Sequence, residues 1–163
     1  MAEQIVENLL KTMQGARDLM EAARSASDDY ASCERQLIRL RLRAESLGGG
    51  TSGASVSGSG HDSLERRVVA LADRERDIEA RMQRDEAVMD AACLVLYGTD
   101  EDGGLAALVP SFWCDALWWH YLQGESWSRV GRILGYSPDH LKDVARQAIE
   151  VADERRVMDS VLG

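Results

Sequence analysis

The sequence predicts an all-α fold in which a long, coiled-coil-like helical hairpin precedes a small C-terminal domain of short helices. Three observations carry this reading. Apolar residues recur at alternating spacings of four and three from Ile5 to Leu47 and again from Leu64 to Leu96, which is the heptad period of helices packed along a seam. The 163 residues include only two Pro and one Phe and few β-branched runs, a composition that favours an all-helical class. Gly and Ser gather in one block, Gly48–Gly60, at the point where the period stops.

The first helix is expected over residues 5–47. Its seam runs through Ile5, Leu9, Thr12, Ala16, Leu19, Ala23, Ala26, Tyr30, Cys33, Leu37, Leu40, Ala44 and Leu47, with Thr12 the polar exception. At 1.5 Å per residue such a helix is on the order of 60 Å long. Ser25, Ser27, Asp28 and Asp29 form its weak point, because their side chains compete with the backbone for hydrogen bonds. Residues 48–60 have no apolar face and read as a flexible linker, whose coil reaches roughly 20 Å. They follow no strand and contain no Lys, which argues against a phosphate-binding loop. Asp62, with Glu65 three residues on, forms a capping-box pattern for the start of the second helix. Its seam continues through Leu64, Val68, Leu71, Ile78, Met82, Met89, Ala92 and Leu96, with Glu75 and Asp85 as polar interruptions. Residues 1–98 therefore form one hairpin domain. The slack linker leaves two closures open, within one chain or exchanged between two chains of a homodimer.

Gly98 ends the second helix, and Thr99–Gly104 is an acidic loop. Leu105–Val109 forms a short apolar brace before Pro110, and Ser111 caps a helix from Phe112 to Gln123. Two short helices follow. Ser126 is an N-cap, and Trp127, Val130, Ile133 and Leu134 supply an apolar stripe. Gly135 stands where a C′ residue of positive φ ends the helix. Ser137 then Pro138 restart it with a side-chain cap and a preset first turn. The next helix buries Leu141, Val144, Ala148 and Val151. Two helices with a turn of three residues describe a helix-turn-helix, placed in a domain of residues 105–156.

The same residues resemble region 4 of sigma-70-type transcription factors. The pattern stands here as Ser126, Trp127, Val130, Gly131, Leu134, Gly135, Ser137 and Leu141, closing on Ala148 and Ile149, and Leu117–Gly124 is similar to the helix that precedes it in that family. The likeness covers Leu117–Ala152, with a hairpin ahead of it as in small phage or prophage regulators. It implies a transcription regulator that contacts double-stranded DNA, with the second motif helix in the major groove and the hairpin serving dimerisation or contact with RNA polymerase. With Leu141, Val144 and Ala148 inward, Ser137, Asp139, His140, Lys142, Asp143, Arg146 and Gln147 lie at or near the outward surface that would face base edges. Arg129 and Arg132 are placed to grip phosphates. Asp139, Asp143 and Ala145 stand where the family is more basic or polar.

Charge argues in the other direction. The net charge is −9. Asp62–Gln123 holds six basic against 13 acidic residues, and Gly124–Arg156 holds six of each. A neutral motif gives up most of the counterion release on which basic DNA-binding modules rely. A second reading follows, that of a helical interaction or scaffold protein that binds no DNA. The aromatics Phe112, Trp113, Trp118, Trp119, Tyr121 and Trp127 have no basic neighbours between Leu105 and Gln123 and read as core. Cys114 and His120 lie six apart without further Cys or His to complete a zinc set, so neither metal nor cofactor is expected. No nucleophile sits in a recognisable elbow, and the chain reads as a non-enzyme. Three Cys without CxxC spacing suit reduced thiols in the cytoplasm. The acidic start without a small-residue cleavage site argues against a secretory signal.

Overall fold

The structure is a computed structural model that describes residues 2–49, 59–100 and 103–163. Among these every regular element is helical, and the protein is all-α. The order is α1 (Ala2–Thr12), α2 (Ala16–Gly49), α3 (Ser59–Tyr97), a 3₁₀ turn (Gly104–Ala107), α4 (Ser111–Leu117), a π-helical turn (Trp118–Leu122), α5 (Trp127–Leu134), α6 (Pro138–Glu154) and α7 (Val157–Leu162). No helix among the described residues is long and apolar enough to cross a membrane. Most of the expected linker, residues 50–58, and the middle of the acidic loop, residues 101–102, lie outside the described residues.

The chain divides into two compact units, one of Met1–Asp28 with Arg84–Gly163 and one of Asp29–Gln83. This differs from a boundary between residues 98 and 105. In the larger unit Ala16, Leu19, Met20 and Ala23 of α2 and Ala91, Ala92, Val95 and Leu96 of α3 share one core with Leu117, Ala148 and Ile149. The alanines allow close helix approach, so the C-terminal helices bury their apolar faces against these stems rather than only against one another.

The expected single helix over 5–47 is two helices, broken at residues 13–15, whereas Ser25–Asp29 runs on as unbroken helix. The break is held by carboxylates: the backbone N–H of Gln14 donates to Asp18 (2.9 Å) and that of Ala16 to Asp153 of α6 (2.8 Å). With the turn at 13–15 the inward face of α1 shifts by one residue. Val6 is buried against Ala26 and Val88, while the expected seam residues Ile5 and Leu9 are exposed. The helix expected to begin at Asp62 begins at Ser59, and α2 extends to Gly49. Gly costs a helix only about 1 kcal/mol per residue and Ser less, so both ends run into the Gly/Ser block.

In the smaller unit α2 and α3 of one chain pack antiparallel around Cys33, Leu37, Leu40 and Ile78, with Leu71 and Met82 half-buried beside them. Asp29 pairs with Arg81, and Arg41 bridges Glu75 (3.1 Å) and Glu79 (3.5 Å).

Candidate nucleic-acid interface

Local signals place α5 and α6 where the sequence put them. The Ser126 hydroxyl accepts from the backbone N–H of Arg129 (3.3 Å), and that of Ser137 accepts from His140 (3.2 Å). Pro138 opens α6. Gly135 has φ 79° and ψ 29°, left-handed values that a residue with a Cβ adopts only at a cost. Gly131, one turn earlier, is needed for another reason: a Cβ there would lie 2.6 Å from the carbonyl oxygen of Tyr136. The turn between α5 and α6 folds back over the space a side chain would fill.

α6 is buried along two adjoining stripes. Leu141 and Val144 join Val130 and Ala116 in one cluster, and Ala145, Ala148, Ile149 and Ala152 join the main core. Ala145 is therefore a packing residue, and a polar side chain there would meet apolar neighbours. Val151 is half-buried, and Ile133, expected on the apolar stripe of α5, is exposed.

All nine residues expected at the outward surface are exposed: Arg129 and Arg132 on α5, Ser137 in the turn, and Asp139, His140, Lys142, Asp143, Arg146 and Gln147 on α6. Their electrostatic states differ. Arg146 is held between Asp143 (2.9 Å) and Glu150 (3.5 Å), and Arg129 is paired with Glu125 (3.2 Å). Arg132 and Lys142 have no ion-pair partner among the described residues. Ser137 is spent on its cap. The His140 ring lies 5.5 Å from that of Tyr136, which stacks on Phe112 (4.7 Å, 13°).

Two participants escaped the sequence reading. Tyr136 is half exposed at the edge of this surface, and only its place between Gly135 and Ser137 hinted at it. His120, considered only as half of a zinc pair, is the buried polar centre behind α5. It lies on the π turn, where the N–H of Gln123 reaches the carbonyl of Trp118 (3.0 Å). Its Nδ1 lies 2.7 Å from the Glu125 carbonyl, and Nη1 of Arg24 on α2 lies 2.5 Å from Nε2. The carbonyl fixes one role, Nδ1–H donating to Glu125, while the Arg24 nitrogen, also 3.0 Å from Nδ1, lies against the ring rather than on the lone-pair axis of Nε2. The ring stacks on Trp127, the first residue of α5 (3.9 Å, 18°). Burial holds the imidazole below its usual pKa; the Glu125 hydrogen bond opposes this, and the charges of Arg24 and Lys142 add to the lowering. The Cys114 thiol is buried and pushed up to about 12 by desolvation and by Asp115, which leaves it protonated and a poor metal ligand. The aromatic group is half-buried around these cores, with Trp113, Trp118, Tyr121 and Trp127 packed on the main one.

No family model matches the chain, and no curated protein or solved structure resembles it significantly.

Proposed function

We propose that this protein is a DNA-binding transcription regulator of phage or prophage type, in which α5 and α6 form a helix-turn-helix of the sigma-70 region 4 kind. The observation that carries the reading is the open surface of α6. Its N-terminal half projects His140, Lys142, Asp143, Arg146 and Gln147 to solvent beside Arg129 and Arg132 of α5, while its opposite side supplies core. A helix of 17 residues with a capped N-terminus and one face of its N-terminal half exposed has the form that enters a major groove. Lys142 meets guanine edges or phosphate, Gln147 is a donor and acceptor for base edges, and Arg132 holds backbone phosphate. The long helices serve dimerisation or contact with RNA polymerase.

The pairing of Arg146 with Asp143 and Glu150 makes the test specific. Selection from random duplexes at low salt yields a preferred sequence, and binding to it falls when Lys142→Ala or Arg132→Ala is introduced. Asp143→Asn with Glu150→Gln strengthens binding, because Arg146 no longer has to leave two carboxylates. If neither alanine variant changes affinity for the selected duplex, α6 is not the DNA-facing helix.

The charge distribution favours a second reading. The larger unit carries 19 acidic against ten basic residues and so holds the whole negative excess of the chain. That surface suits a non-catalytic helical interaction protein, in which α5 and α6 serve packing only. Absence of duplex enrichment even at low salt decides for it.

A further inference from the structure

The heptad seam of the smaller unit outlasts its packing. Leu37, Leu40 and Ile78 are buried, but toward the ends of the two helices Leu64 is 37% and Val68 52% exposed. A cleft of about 470 Å³ opens there, lined by Ala44, Leu47, Leu64, Val68 and Leu71 with Glu75 as its charged group. A larger one of about 890 Å³ shares Leu40, Leu47 and Leu71 with it and adds Arg43, Arg67 and Arg74. These arginines have no ion-pair partner among the described residues. Of the two carboxylates in the same cleft, Asp77 and Asp73, the latter is already paired with Arg76 (3.7 Å). The segments that bound both clefts, residues 40–47 and 64–77, hold six arginines against five carboxylates, and of these Glu75 is already paired with Arg41 (3.1 Å), which leaves Arg43, Arg67 and Arg74 as the cations facing the clefts.

We propose that this end of the α2–α3 pair docks an acidic amphipathic helix of a partner protein. The apolar face of that helix fills the Leu47–Leu64–Val68–Leu71 cleft, and its flanking carboxylates meet Arg43, Arg67 and Arg74. The unfinished seam supplies the shape, because two helices with apolar residues left along one seam accept a third at heptad spacing. Charge selects the occupant. A second copy would bring one set of cleft arginines against another, and like charges at close range oppose that pairing. Duplex DNA would satisfy the arginines but has no apolar side chains for the cleft. The proposal does not depend on whether α6 binds DNA.

The test uses the full chain and a fluorescent helical peptide of about four heptads, with Leu at a and d and Glu at e and g. Peptides of scrambled order and with Lys for Glu serve as controls. The Leu/Glu peptide is expected to bind saturably, and Val68→Asp and Arg43→Glu with Arg67→Glu each weaken it by roughly tenfold or more. Val68 and both arginines are exposed, so circular dichroism should show unchanged helicity. Equal binding of the scrambled or Lys peptide, or indifference to both variants, overturns the proposal. So does competition of the peptide by duplex DNA, or a dimer in sedimentation that Val68→Asp dissolves, since these assign the cleft to nucleic acid or to a second copy.

Discussion

His120 couples the seat of α5 to the long helix α2 through one neutral ring. Protonation would set a second cation directly against the Arg24 guanidinium. The sign follows from the lowered pKa. The unfolded chain takes the proton near the ordinary histidine value of about 6.5, and the folded chain takes it only at lower pH. The stabilising contribution is therefore complete above the unfolded value and is lost as pH falls through it toward the folded one. Thermal unfolding followed from about pH 7.5 to 5.5 should show a steeper loss of stability in the wild type than in His120→Gln, which cannot titrate there. Parallel profiles would mean that the ring does not control this contact. Gly131 offers a second test at one side chain. In an open helix interior Gly→Ala gains up to about 1 kcal/mol, but here the added methyl meets the Tyr136 carbonyl at 2.6 Å. Gly131→Ala should instead destabilise by about 1–3 kcal/mol in urea unfolding. The glycine was visible in the sequence as part of the motif, whereas the carbonyl it accommodates was not.

Helix punctuation was legible at α5 and α6, where the capping group lies within a few residues of the end it caps, but not at Ser111, which opens α4 without a side-chain cap. Ser126, Gly135, Ser137 and Pro138 act on α5 and α6 through contacts no more than four residues away. The α1–α2 break is the opposite case. Its heptad spacing runs on with only Thr12 as a polar exception, and the acceptor for the N–H of Ala16 is Asp153, 137 residues distant. A period describes which side of a helix is apolar; it does not reveal where a remote carboxylate stops the helix. Asp153→Ala removes an N-capping acceptor and should cost about 1 kcal/mol, within the range for cap removal. Hydrogen exchange should show the loss first at residues 14–18, and uniform exchange across both units would count against this account.

Charge is unevenly divided between the two units. The smaller unit has nine acidic and nine basic residues, and the larger one carries the net −9. If α5 and α6 bind DNA as proposed, their cations do so within an acidic surround, and of Arg129, Arg132, Lys142 and Arg146 only Arg132 and Lys142 lack an ion-pair partner among the described residues. The slope of log K against log salt on duplex DNA should then be shallow, about −2 for two phosphates neutralised. A markedly steeper slope would show that further arginines take part.

The all-α class, the long helices, the two short helices and the open side of α6 all follow from local features: heptad spacing, capping hydroxyls, one left-handed glycine and a stripe of apolar residues. Each depends on neighbours within a turn or two, so residue order alone reveals it. The division into units, the broken first helix, the burial of Ala145 and the neutral His120 depend on groups brought together from distant parts of the chain. Those were settled by how closely alanine-lined stems approach the C-terminal helices, and by which carboxylate, carbonyl or guanidinium ends up facing each buried polar group.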